Sequence, residues 1–133
     1  MLPPDAIPNE PGAYQLVLFL AKDITLQVGA LGTFEFPAGR YLYTGSALAG
    51  LRRRIARHLR KEKRLRWHID YLLQYAVVED IRLFPLSEQG ECAINQQALA
   101  LPHARVIAHG FGSSDCRCPA HLVYLGQDVC PPV

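Results

Sequence analysis

Tyr14-Gln15-Leu16-Val17-Leu18-Phe19-Leu20-Ala21 is the stretch on which the fold turns. This nearly continuous apolar run has the length of a buried strand rather than of a surface one. Lys22-Asp23 then makes a turn, and residues 24–28 alternate with Ile24, Leu26 and Val28 on one face, the pattern of a second strand. Gly29 and Gly32 break it. Phe34-Glu35-Phe36 is a short extended piece stopped by Pro37-Ala38-Gly39, and residues 40–43 return as a third strand. Bracketed by Gly12 and Gly45, these pieces read as a small antiparallel meander.

Beyond Gly45 the period changes. Leu48, Leu51, Ile55 and Leu59 recur at three and four residues, an apolar stripe on a helix over residues 47–61. At about 100° per residue, His58 falls within about 20° of Leu51, and Arg54 about 60° to one side. Both therefore lie on or beside the buried face, whereas Arg53 and Arg60 point away. Residues 67–75 read as a short second helix with Ile69, Leu72 and Leu73 inward, and 76–84 as a further strand. A third helix covers residues 91–101, ended by Pro102, with Glu91 and Asn95 on one face. Residues 106–108 and 121–125 read as strands around a Gly-Phe-Gly-Ser-Ser-Asp loop. The whole is an α+β chain, a small antiparallel sheet flanked by helices. One domain is expected over residues 1–133, with its core at about 11–125 and proline-rich tails.

Composition sets outer bounds. Half of the 133 residues are hydrophobic and 20% are charged, the mix of a soluble globular chain. At this size roughly two-thirds of the unfolded surface is buried, enough for a core without disulfides. The apolar run 16–21 falls far short of the roughly 18 residues a bilayer helix needs, so no membrane partner is expected. The opening Met-Leu-Pro-Pro-Asp lacks a basic, then apolar, leader. A reducing cytoplasmic setting is the default expectation, in which Cys92, Cys116, Cys118 and Cys130 would be free, catalytic or metal-bound.

The net charge of +2 conceals its distribution. Nine of the fourteen cations lie within residues 52–66, opposed there only by Glu62. Like charges at i and i+4 repel on an isolated helix, and a polyanion relieves that repulsion. Arg53, Arg57, Arg60, Lys61, Lys63 and Arg64 are the candidate contacts; the charge does not say which polyanion, and with a nucleic acid they are expected to touch the backbone without reading its sequence.

Gly12-Ala13-Tyr14 opens the first strand and Tyr43-Thr44-Gly45 closes the third, so two phenols can share one rim. The helix that follows brings Arg54 and His58 toward it. Phenol, guanidinium and imidazole suit a phosphate, because guanidinium binds the anion bidentately and keeps its charge. This constellation resembles the GIY-YIG nuclease superfamily. Gly12-Ala13-Tyr14 resembles the first signature, Tyr43-Thr44-Gly45-Ser46-Ala47 the second, and the helix at residues 51–59 the Leu-x-x-Arg-x-x-x-His/Tyr segment. Trp67-His68-Ile69-Asp70-Tyr71, Glu91-Cys92 and Gly110-Phe111-Gly112-Ser113-Ser114-Asp115-Cys116-x-Cys118-x-x-His121-Leu122 resemble an uncharacterised branch that also occurs fused to archaeal endonuclease III. Two departures stand out. Ser46 replaces a lysine of some members, and the terminal asparagine has no counterpart, with Ser114, Asp115 or His121 near its place.

The resemblance implies a GIY-YIG-like fold and a phosphodiester endonuclease that uses Mg²⁺ or Mn²⁺. DNA is the first expected substrate and RNA the second, and DNA repair is the natural setting. On this likeness Glu91 holds the metal, Arg54 binds the scissile phosphate, and Tyr14 positions or deprotonates the attacking water with Tyr43 orienting it. His58 is either a proton relay or a second phosphate contact. Two other readings stay open. One is a catalytically inactive nucleic-acid-binding module of the same fold. The other is a zinc-stabilised interaction domain, with Cys116, Cys118 and His121 as Zn²⁺ ligands and Cys92 or His109 as the fourth. His68 and Asp70 read as a surface or supporting pair.

Overall fold

The computed structural model describes residues 6–85, 90–113 and 116–127. Along them run β1 (Gly12–Leu20), β2 (Ile24–Val28), β3 (Gly32–Phe36), β4 (Gly39–Ala47), α1 (Leu51–Leu59), α2 (His68–Leu72), β5 (Val77–Pro85), α3 (Glu91–Leu99) and β6 (Leu122–Gly126). The architecture is α+β: a four-stranded antiparallel sheet in the order β5-β1-β4-β6, a separate β2-β3 hairpin, and three α-helices.

β1 and β4 are buried along almost their whole length. Such strands need hydrogen-bonded neighbours on both edges and apolar cover on both faces. They accordingly pair with each other, from Gly12↔Ala47 to Leu20↔Gly39, in the middle of the main sheet. β2 alternates between buried and exposed residues, can bury one face alone, and leaves the sheet as a hairpin with β3. The expected meander of the first strands is thus replaced by a hairpin inserted between two central strands.

Alternation along β1 feeds two cores. Tyr14, Leu16, Leu18 and Leu20, with Tyr41 and Tyr43, pack against Leu51 and Ile55 of α1 and Ile69 and Leu72 of α2. Val17, Leu42, Val123 and Leu125 pack against Ala98 of α3 on the opposite face. The helices therefore sandwich the sheet, and the end of β4 is where side chains from both faces can meet.

Several boundaries move. Residue 47 belongs to β4 rather than to a helix, and Leu48, assigned above to the apolar stripe, is 73% exposed. The cause is the register: pairing with Gly12 holds the chain extended to Ala47, and Gly50 at φ +126° makes the bend before α1. α1 has no side-chain cap. Its first free amides are instead taken by the preceding segment, Leu51 N–H donating to Glu10 O (2.9 Å) and Arg52 N–H to Pro8 O (3.2 Å). Residues 7–10 are therefore no loose tail, and Ile7 is fully buried. Residues 106–108 do not form a strand; nearby, a single bridge joins Arg105 to Tyr124. α2 and α3 are shorter than their periodicity suggests, and β5 runs one residue further. Pro3, Pro4, Pro131, Pro132, Ser114, Asp115 and Cys130 lie outside the described residues. Among those described, no helix is long and apolar enough to cross a membrane.

Candidate functional site

The register Tyr14↔Gly45 puts the two tyrosine motifs side by side. A Cβ at residue 45 would lie 2.6 Å from the Tyr14 hydroxyl, so only glycine leaves room for that phenol beneath β4. The Tyr14 and Tyr43 rings stand 6.4 Å apart, centroid to centroid. The backbone alignment required by β-pairing, rather than a rim shared by alternate meander strands, unites the motifs.

Over this point lies a cavity of about 260 Å³ lined by Tyr43, Gly45, Ser46, Arg54, Glu91 and His68, with Arg66, Trp67 and Gly112 completing the wall. Three of the four residues expected around one anion are present as lining. Tyr14 lies behind Gly45, 1% exposed. Ser46 joins the two charged groups: Arg54 Nη1 donates to its carbonyl (3.0 Å), and its hydroxyl donates to Glu91 Oε1 (3.1 Å). The Arg54 guanidinium also lies over the Trp67 ring, 4.4 Å from its centroid. The hydrogen bond from His121, then those from Ser46 and the charge of Arg54, hold the Glu91 carboxyl below its ordinary range despite partial burial. It is an anion at neutral pH, facing a fixed cation.

Behind the cavity, the Tyr14 hydroxyl and His58 Nε2 share a 2.6 Å hydrogen bond. Burial pushes the Tyr14 phenol well above its ordinary value, while the Arg54 guanidinium pulls against this. Tyr43 is raised likewise, chiefly by burial. His58 is lowered to about 3, first by burial and then by the Lys63 ammonium, so its ring is neutral. His58 is 3% exposed and is not among the residues that line the cavity. Its Nδ1 has no hydrogen-bond partner among the described residues.

The basic run divides in two. Arg53, Arg60, Lys61 and Arg64 are exposed. Arg57 instead grips the fully buried Asp70 bidentately, at 2.8 and 2.9 Å, and stacks over Trp67 at 4.0 Å. Lys63 donates to the Arg57 and His58 carbonyls at the end of α1. Asp70 also accepts the Arg66 and Trp67 amides (both 2.8 Å) at the start of α2. Burial alone would raise its carboxyl, but these bonds hold it down. His68 and Asp70 are therefore no pair: Asp70 is interior, while His68 lines the cavity. A second arginine-rich hollow of about 290 Å³ shares Arg54, Arg66 and Trp67 with the first and adds Arg53, Arg57 and Arg60.

On the other side of Glu91, Cys92, Cys116, Cys118 and His121 offer ligand atoms that all lie within 4.8 Å of one another, a group that could hold a metal ion. The fourth member is Cys92 from the first turn of α3, not His109, which is exposed. Cys92, Cys116 and Cys118 are free thiols. His121 Nε2 lies 3.2 Å from Cys116 Sγ and 3.8 Å from Cys92 Sγ, while Nδ1 faces Thr44 O at 3.0 Å and Glu91 Oε2 at 3.4 Å. Burial opposes protonation of this ring, yet its bonds to Glu91, the Thr44 carbonyl and the thiols carry it up to about 10.

His68, Ser46, Arg66 and Trp67 are the lining residues that the spacing of motifs did not single out for the site. His68 accepts the Gly112 amide at Nδ1 (2.9 Å), so its neutral ring presents Nε2–H as a donor. Gly112 itself sits at φ +70°, and a Cβ there would come within 3.1 Å of the Tyr43 ring. The one available signal was the His68 and Gly112 strings themselves. Asn95, expected on the Glu91 face, is buried and donates to Ala120 O at 2.7 Å.

Fold and site together define a small α+β domain with an anion-and-cation-lined cavity beside a thiol–imidazole cluster. The chain belongs to the family described as Domain of unknown function DUF123, whose match spans residues 13–131. No curated protein and no solved structure matches it.

Proposed function

We propose that this domain is a divalent-metal-dependent endonuclease of the GIY-YIG kind, hydrolysing nucleic-acid phosphodiesters, with DNA its first expected substrate. The single observation that carries the reading is the cavity in which Tyr43, Arg54 and Glu91 meet, backed by the Tyr14–His58 pair. Glu91 is the residue to hold Mg²⁺ or Mn²⁺. It is ionised, and one carboxylate with substrate oxygens and water suits an ion that keeps much of its hydration. Bound there, such an ion supplies neutralisation of charge on the phosphoryl and leaving oxygens. Arg54, already oriented by Ser46 and Trp67, binds the scissile phosphate.

Neither Tyr14 nor His58 is charged at rest, so the phenol does not act as a standing phenolate. Tyr14 accepts a proton from the attacking water across the gap left by Gly45 as its own proton passes to His58 Nε2. Tyr43 orients that water, and His68 Nε2–H adds a donor to the phosphate. The exposed Arg53, Arg60, Lys61 and Arg64 carry the flanking backbone. Zinc is the proposed ion for Cys92, Cys116, Cys118 and His121. Ligands about 2.0–2.3 Å from zinc are roughly 3.3–3.8 Å apart in a tetrahedron, so the group closes onto the ion by small side-chain movements. Three free thiols fit the reducing cytoplasm.

The test is cleavage of DNA and RNA oligonucleotides with Mg²⁺ or Mn²⁺, stopped by chelator. Arg54→Ala and Glu91→Gln each lower the rate by at least 100-fold; unchanged rates in either variant, or no cleavage of any substrate, overturn the reading. One observation favours a binding module of the same fold instead: both Glu91 oxygens already have protein partners. Its mark is affinity that survives both substitutions and fails when Arg53, Arg60 and Lys61 are neutralised.

A further inference from the structure

We propose that the thiol cluster positions Glu91, with the His121 imidazole as the link, so that a metal held by Cys92, Cys116, Cys118 and His121 sets the affinity of Glu91 for its own divalent ion. The inference rests on the assignment of Glu91 as a divalent-ion ligand made above.

Three observations carry it. The first is the single ring shared by both groups: Nε2 belongs to the thiols, Nδ1 to Thr44 O and Glu91 Oε2. A neutral imidazole carries its proton on either nitrogen. With Nε2 engaged by a metal, His121 carries it on Nδ1, aimed at the Thr44 carbonyl and the Glu91 carboxylate. The second is sequence adjacency. Glu91 and Cys92 are the first two residues of α3, and they point into different sites, Glu91 into the cavity and Cys92 among the thiols. Ligation of Cys92 ties the first turn of α3 to residues 116–121, which supply the other three ligands. The third is that this turn has no side-chain cap of its own. Its next tie to the same loop is Asn95 Nδ2 to Ala120 O, one turn further along. The cluster therefore governs where the helix start, and Glu91 with it, comes to rest. His121 is a positioning residue: it touches Glu91, not the substrate.

The experiment uses the full chain, loaded with one zinc or stripped by chelator and dialysed, with Mn²⁺ binding followed by electron paramagnetic resonance. Zinc-loaded protein is expected to bind Mn²⁺ about tenfold tighter than stripped protein, the usual scale of such supporting contacts. Histidine ¹⁵N NMR of the loaded form is expected to place the His121 proton on Nδ1. Because stripping can disturb the whole fold, His121→Cys is the sharper variant: it offers a fourth thiolate, keeps zinc, and severs the link. Retained zinc with Mn²⁺ affinity about tenfold weaker supports the proposal. Retained zinc with unchanged Mn²⁺ affinity overturns it, as does failure of the wild-type chain to take up zinc. Zinc-loaded protein whose Mn²⁺ binding is absent, or indifferent to Glu91→Gln, instead refutes the assignment of Glu91, and the proposal falls with it.

Discussion

His58 and His121 stand on opposite sides of Tyr43's strand end and have been driven in opposite directions. His58 is packed against Tyr14 and near Trp67, with Lys63, Asp70, Arg54 and Arg57 as its charged neighbours; burial and the three cations lower it to about 3 against the upward pull of the Asp70 carboxylate. His121 is equally inaccessible, yet it faces a carboxylate, a carbonyl and three thiols, and rises to about 10. Burial is the largest influence on both and pushes both downward. What separates them is the sign of what they touch, since a buried ring keeps a proton only where anions and acceptors replace the lost water. One face of the site thus holds neutral rings, and the other, in the metal-free chain, gathers charge around His121 and Glu91.

Removing Asp70, the anion that pulls His58 upward against its cations, sharpens this contrast most strongly. Asp70→Ala strands the Arg57 guanidinium without its partner and frees two backbone amides. It is expected to cost about 3–5 kcal/mol, read by urea denaturation. Arg60→Ala, one turn away and exposed, is expected to stay within about 0.5 kcal/mol.

Acid probes His58 itself. Its folded value lies below that of the unfolded chain, so its contribution is complete above about pH 6.5 and is lost as pH falls toward about 3. In that window it removes about 1.4 kcal/mol of stability per pH unit. Asp70, also lowered on folding, adds to the loss only near and below the ordinary carboxylate range. His121, raised on folding, pulls the other way above about pH 6.5. Below that window, denaturation at pH 5, 5.5 and 6 is therefore expected to show a slope that His58→Gln largely abolishes; an equal slope in the variant would mean that His58 is not buried neutral.

Gly45→Ala sharpens the comparison at the point between the two imidazoles. The new methyl must displace the Tyr14 hydroxyl, at an expected cost of about 1–3 kcal/mol. On the proposed nuclease reading, cleavage is expected to fall by more than unfolding explains, measured well below the melting temperature, with Gly45 as the opening between phenol and cavity. The smallest effect lies outside both environments. Arg60→Ala with Lys61→Ala is expected to leave stability unchanged and to reduce the salt dependence of log affinity for duplex DNA by roughly 2, as titrations at several salt concentrations would reveal.

Much of this molecule was legible along the chain. The length of the run at residues 14–21 announced a buried strand, and the switch to three-and-four spacing announced α1 with Arg54 and His58 beside its buried face. Tyr14, Tyr43, Arg54 and Glu91 do converge on the end of β4, three of them on one cavity. The misread places were those decided by partners distant in sequence. Leu48 kept helical spacing, but pairing with Gly12 held the preceding residue in β4. Arg57 looked like one more surface cation until Asp70 folded beneath it.

Amphipathic period, charge density and the spacing of Tyr, Arg, Glu and Cys are local properties, and local sterics and hydrophobic patterning are enough to express them as strands, helices and candidate groups. Which arginines face inward, which histidine is neutral, and that Cys92 rather than His109 completes the thiol group depend on burial and on charges brought close by the fold. Those interactions strengthen steeply once water is excluded, and only the packed chain determines where that happens.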